Sequence, residues 1–174
     1  MIDYKLFGEF TYEEKWRQLL AKAYGIAMDS KDPSTQNGAI LVNEQGEILS
    51  WGANNLPEGI KNSPDRWVKP LKYRVVVHAE DRAILQACRK GLQVTGLTMV
   101  CGWACCTSCA LSILESGVKV LVTHKQVIDR SPANWEEEIL LAFSLLNEAK
   151  VKILFYDGPI GGVVIRHSGS EWRP

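Results

Sequence analysis

His78-Ala79-Glu80 and Cys106-Thr107-Ser108-Cys109 are the stretches from which the rest of the chain is read. The first has the pattern H-x-E and the second C-x-x-C. Cys106 follows His78 by 28 positions, room for one helix, a turn and one strand. One imidazole and two thiolates make three protein ligands for a tetrahedral zinc ion. The open fourth position marks a catalytic site rather than a structural one. The carboxylate of Glu80 supplies an acid/base group beside that position.

Composition sets the frame. At 174 residues the chain reads as a single domain over 1–174 with a sizeable core. Hydrophobic content of 46% and charged content of 23% fit an ordered globular protein. Twenty basic and twenty acidic residues cancel, so the chain as a whole advertises neither nucleic acid nor membrane as a partner. No apolar run reaches membrane-spanning length, and Met1-Ile2-Asp3-Tyr4-Lys5 has no signal-peptide character. Four of the five cysteines lie between Cys101 and Cys109. Such clustering suits a metal site in a reducing cytoplasm (the host's, if the chain is viral) better than a disulfide framework.

Thr11-Tyr12-Glu13-Glu14 fits a capping box, and Leu19, Leu20, Ala23, Ile26 and Ala27 follow at helical spacing, predicting a helix over Thr11 to Met28. Ala39–Val42 and Ile48–Trp51 form a hairpin turned by Asn43-Glu44-Gln45-Gly46. Asn54 to Arg74 has no period and four breaking prolines and glycines. It is locally basic through Lys61, Arg66, Lys69, Lys72 and Arg74, which makes it either a solvated loop or the rim of a substrate mouth. A helix then runs from His78 to Gly91, a strand over Thr98–Cys101, a helix over Cys106–Ser116 and a strand over Val118–Thr123. A helix from Trp135 to Lys150 and a core strand Ile153–Tyr156 complete the pattern. Gly161 to Arg166 reads as a short edge piece, and the tail beyond Ser168 gives no pattern. The alternation predicts an α/β fold: a three-layer α/β/α sandwich around a central mixed five-stranded sheet.

Both ligand groups fall where a helix begins, where free N–H groups and the helix dipole favour thiolate. A spacing of three puts Cys106 and Cys109 on one helical face. His78 and Glu80 diverge on a regular helix, which speaks against Glu80 as a second equivalent zinc ligand and fits an acid/base role.

These motifs resemble the deoxycytidylate (dCMP) deaminases of the cytidine deaminase superfamily. Ser30-Lys31-Asp32-Pro33-Ser34-Thr35-Gln36-Asn37-Gly38-Ala39, Gly52-Ala53-Asn54-Asn55-Leu56-Pro57-Glu58-Gly59, Lys72-Tyr73 and Ser116-Gly117-Val118-Lys119 are similar to stretches of that family. The resemblance runs from Ser30 to about Val122 and implies a cytidine deaminase-like fold. It implies Zn2+ on His78, Cys106 and Cys109, with Glu80 as catalytic acid/base. The reaction implied is deamination of dCMP to dUMP with loss of ammonia, on the route to dTMP. Asn54 is expected to bond the sugar hydroxyl, though a turn residue capping a strand end is its plain alternative, and the Ala79 backbone to meet the pyrimidine. A homo-oligomer (dimer or hexamer) and regulation by dCTP and dTTP are further implications. Four residues depart from the family pattern: Cys105 stands for proline, Asn37 for an apolar residue, Asn55 for the second glycine of its loop, and Arg82 for asparagine.

Trp103 reads equally as a wall of the base pocket or as core. Arg130 reads as a phosphate contact or a solvated arginine. Cys88 and Cys101 read as small core residues, and His124 and His167 as surface residues. Two rival functions stay open: a zinc deaminase acting on a base in RNA or DNA or on another free cytosine compound, and a closed structural zinc completed by Cys101 or Cys105.

Overall fold

In the computed structural model, which describes residues 2–174, alternate residues of the central strands face opposite layers. A 3-10 turn at Tyr4–Leu6 precedes strand β1 (Glu9–Thr11), helix α1 (Glu14–Ala27) and the hairpin β2 (Gly38–Val42) and β3 (Ile48–Ala53). An irregular crossing, with a 3-10 turn at Pro64–Trp67 and the short helix α2 (Lys72–Val75), leads to α3 (Ala79–Arg89). Then follow β4 (Thr98–Cys101), α4 (Thr107–Glu115), β5 (Val120–His124), the short α5 (Lys125–Ile128) and a 3-10 turn at Ala133–Trp135. Helix α6 (Glu136–Glu148), β6 (Lys152–Tyr156) and a second hairpin, β7 (Ile165–His167) and β8 (Ser170–Trp172), end the chain.

The main sheet has six strands in the order β1-β6-β5-β4-β2-β3. β1, β6, β5 and β4 are mutually parallel, while β2 runs antiparallel to both β4 and β3. Leu41, Met99, Leu121 and Ile153 meet the apolar faces of α3, α4 and α6. Ile40, Val100, Val122 and Leu154 meet Leu20, Ala23, Tyr24 and Ala27 of α1. Helices on both faces explain why these strands read as unbroken apolar runs rather than as alternating ones. The expected three-layer α/β/α sandwich with a mixed sheet is what forms. Among the described residues no helix is long and apolar enough to cross a membrane.

Several expectations need correction. The sheet has six strands, not five, because Glu9–Thr11 pairs in parallel with Leu154–Tyr156. Three residues are too few to show a period. That pairing takes Thr11 out of the expected capping box: α1 begins at Glu14 behind Glu13, and Thr11 Oγ1 accepts only the Glu13 N–H, at 3.4 Å. The tail beyond Ser168 forms β8. His124 and His167 are buried, not surface residues, and Cys88 is exposed rather than packed in the core. His124 is held by the Tyr24 hydroxyl at 2.8 Å and the Gly158 carbonyl at 2.9 Å, and Trp172 stacks on its ring. Burial pushes His124 down to about 4, outweighing the Gly158 carbonyl and the charge of Asp157, which both favour its protonated form.

One close approach positions the site. A Cβ on Gly52 of β3 would stand 2.6 Å from Arg82 Cβ and 2.8 Å from the Ala79 carbonyl oxygen. Only a residue without a side chain lets the first turn of α3 lie this tightly on the sheet.

Candidate metal and catalytic site

His78 is the N-cap residue of α3 and Cys106 the N-cap residue of α4. Both have extended backbone, so each side chain leaves its helix end toward the other. Cys109 joins them from the first turn of α4. His78 Nδ1 lies 3.4 Å from Cys106 Sγ and 3.3 Å from Cys109 Sγ, and the two sulfurs are 3.6 Å apart. A tetrahedral zinc with ordinary bond lengths would set these separations at about 3.6 Å for S to N and about 3.8 Å for S to S. The donor set and its spacing therefore fit the ion. Cys101 and Cys105 are buried outside this cluster, so the closed four-ligand arrangement is not formed among the described residues.

The charges of the triad are coupled. Without an ion, Cys106 is pulled down to about 4, first by the Cys109 thiol donating to it and then by His78. Cys109 is pushed up, because it keeps the proton of the pair and is buried. His78 is raised to about 9 by its bond to Cys106. One thiolate thus shares its charge with two protonated neighbours, and a dication displaces those protons. The Thr107 backbone N–H and hydroxyl both donate to Glu138 Oε2, at 3.3 and 2.8 Å, tying the start of α4 to α6.

Beside the triad opens a cavity of about 300 Å³. Glu80, 2% exposed, lines it from the first turn of α3. Its Oε2 has no partner among the described residues. Burial is the main cause that raises this carboxyl to about 7, opposed by the charge of His78. A carboxyl poised near neutrality, with one oxygen uncommitted, can accept and return a proton.

Of the expected substrate contacts, Asn54, Ala79 and Trp103 line the same cavity as His78, Glu80 and Cys106. Arg130 does not line it; its guanidinium lies 5.6 Å over the Trp172 ring. Asn54 spends both amide protons on protein, on Asp32 Oδ2 at 3.2 Å and the Thr35 carbonyl at 2.8 Å. Its Oδ1 accepts the Asn37 N–H at 2.7 Å, which leaves that oxygen one further lone pair. Trp103 combines both of its readings. Its indole N–H donates to Ser131 Oγ at 2.8 Å, its ring packs edge-on against Trp135 and His167, and it also walls the cavity.

Of the basic residues of the irregular stretch, Lys69 and Lys72 line the cavity, while Lys61, Arg66 and Arg74 do not. Lys72 is paired at 2.6 Å with Asp32, a carboxylate 1% exposed that also accepts the Ser34 and Thr35 N–H groups at 2.8 and 3.2 Å. Asp32 is thus the hub that holds Asn54, Lys72 and the turn at Ser34. Sequence reasoning quoted it within a motif but missed this role. Its signal was available: an Asx turn inside a stretch followed by glycine and a strand. Arg82 donates to the Asn55 and Leu56 carbonyls at 2.8 and 3.0 Å, so two of the residues that depart from the family pattern latch one loop to α3.

The description "cytidine and deoxycytidylate deaminase zinc-binding region" matches residues 13–125. A human deoxycytidylate deaminase is 32% identical over 169 residues, covering 94% of this chain and 91% of that one. An uncharacterized deaminase from the luxG 3' region of Aliivibrio fischeri is 31% identical over 140 residues, covering 80% of this chain and 92% of that one. Among solved structures, the dCMP deaminase of cyanophage S-TIM5 in its apo form superposes with a TM-score of 0.63 at 20% identity, covering 83% of this chain and 99% of that one. The same phage enzyme in complex with dCMP and dUMP gives a TM-score of 0.61 at 21% identity, with the same coverage.

Proposed function

From the premise that this chain belongs to the cytidine and deoxycytidylate deaminase zinc-binding family, we propose that it is a dCMP deaminase, yielding dUMP and ammonia. That it is a zinc-binding deaminase follows from the family and from the His78, Cys106 and Cys109 cluster. The observation that carries the dCMP reading is the cavity beside that cluster. It joins a buried acid/base, an aromatic wall, an amide with a free lone pair and an ammonium within a volume suited to one mononucleotide.

Zinc, when bound, supplies the Lewis acid that activates a water molecule as nucleophile toward C4 of the base. Glu80 takes one proton from the attacking water and passes it to the ring nitrogen. It then takes the second proton from the hydroxyl now on C4 and delivers it to the departing amino group, so that ammonia leaves and a carbonyl remains. Trp103 walls the plane of the base, and Ala79, the first residue of α3, turns a first-turn N–H toward the ring. Asn54 Oδ1 accepts from the sugar hydroxyl, with its orientation enforced by Asp32 and the Thr35 carbonyl. Lys69 reads the phosphate, since Lys72 is committed to Asp32.

The whole chain acts as one domain in this reading, in the cytoplasm, where its five free cysteines stay reduced. Assembly into a dimer or hexamer and control by dCTP and dTTP belong to the same reading. The test is kcat/KM on dCMP, deoxycytidine, CMP and a short cytosine-containing single strand at one salt concentration. Lys69 is solvent-exposed, so its contact with the phosphate should appear as a preference for dCMP over deoxycytidine that weakens as salt is raised. Equal rates on the two, or preference for the single strand, would overturn the proposal and promote the polynucleotide reading.

A further inference from the structure

The C-terminal hairpin has no part in the metal triad or the proton shuttle, yet it is bolted to the wall of the cavity. The Gln36 N–H donates to the Arg166 carbonyl at 2.9 Å, and the Arg166 N–H returns a bond to Gln36 Oε1 at 3.0 Å. One turn further on, the Ser168 N–H donates to Thr35 Oγ1 at 3.2 Å and the Gly169 N–H to the Ser34 carbonyl at 2.8 Å. Thr35 is the residue whose carbonyl holds the Asn54 amide. From the other side the His167 ring packs at 5.2 Å and 89° against Trp103. Trp172 of β8 stacks on buried His124 and packs edge-on against Tyr24, anchoring the far end of the hairpin in the core.

Ser168 and Gly169 are the two central residues of the turn between the paired His167 and Ser170. Their φ values of 52° and 82° are those of a type I′ turn, the connection whose twist matches two antiparallel strands. Serine is a poor choice at its first position, where asparagine, aspartate or glycine carries less strain. The tip nevertheless places Ser168 in the lining of the cavity, together with Ser34 and Thr35.

We propose that Ser168, presented by the C-terminal hairpin, is a specificity-determining residue that contacts the non-reacting part of the bound nucleotide. The argument is one of placement. The reacting carbon must sit at the triad and Glu80, and Ser168 touches neither. It stands instead beside Thr35 in the wall that positions Asn54. A strained turn residue is tolerated at a binding site because the surroundings over-determine it, here through four hydrogen bonds and a ring contact. The inference rests on the dCMP reading above.

Two variants test it. Ser168→Asn supplies a residue that the type I′ turn prefers, so the hairpin stays formed, but adds bulk at the cavity wall. Ser168→Gly keeps the turn and removes the hydroxyl. We expect zinc content and Tm at or above wild type in both. KM for dCMP should rise about tenfold or more in Ser168→Asn and about threefold in Ser168→Gly, with kcat within twofold, the pattern of lost uniform binding. A merely structural serine would leave KM unmoved, because both replacements suit the turn. KM within twofold of wild type in both folded variants overturns the inference and leaves the dCMP reading intact. A wild-type protein inactive on dCMP overturns that reading and this inference with it.

Discussion

Replacing Lys72 with methionine tests whether Asp32 is the hub of the site. The change keeps most of the side-chain volume and removes the ammonium that lies 2.6 Å from Asp32 Oδ2. The carboxylate is 1% exposed with Lys72 in place, so its charge loses its cation and gains at most water entering from the cavity. Breaking a buried pair from one side costs about 3–5 kcal/mol. Three donors remain, the Ser34 and Thr35 N–H groups and the Asn54 amide, and they hold the loss to the low end of that range, about 3 kcal/mol. For a chain of this length that is a fall in Tm of roughly 6–12 °C. The diagnostic measurement is the double variant Asp32→Asn/Lys72→Met in thermal or urea unfolding of the zinc-loaded protein. Without the stranded charge it should be more stable than Lys72→Met alone, a coupling only contacting residues show. A Lys72→Met protein within about 2 °C of wild type, or a double variant no more stable than that single one, refutes the hub.

Further outcomes follow from the triad and the shuttle. Glu80→Gln should fold and hold zinc, yet lose at least about a hundredfold in turnover; near-normal turnover would remove the residue from the mechanism. In chelator-stripped protein, Glu80 is raised from the ordinary 4.5 to about 7, so the folded state binds this proton more tightly than the unfolded chain. Its contribution is present below pH 4.5 and lost as pH rises toward about 7. Wild type should therefore lose about 3 kcal/mol relative to Glu80→Gln across that window, read from urea midpoints at each pH; parallel curves would contradict the shift. Cys106→Ala and Cys109→Ala should lose bound zinc and Tm together, since binding is coupled to folding. Cys101→Ala and Cys105→Ala should retain it by elemental analysis, and zinc loss in Cys105→Ala would speak for a closed structural site.

Sequence alone determined the elements whose signal is local. Ala39–Val42, Thr98–Cys101 and Ile153–Tyr156 are apolar runs because helices cover both of their faces, and that burial is written into each residue. His78, Cys106 and Cys109 were legible because metal binding demands particular side chains at helix starts, and side-chain identity needs no structure to be seen. Tertiary structure decided what depends on partners distant in the chain. Glu9–Thr11 is a strand only because β6 offers it an edge, and that pairing overrides the local capping signal of Thr11. His124 looks like a surface histidine until Tyr24, a hundred residues earlier, supplies the hydroxyl that satisfies it. Which of six candidate cations enter the cavity, and that Lys72 is already bound to Asp32, are matters of three-dimensional distance that charge counting along a loop does not contain. The C-terminal hairpin is the extreme case. Its three-residue strands carry no period, and its place beside the site is set by hydrogen bonds to Ser34, Thr35 and Gln36, more than 120 positions away in sequence.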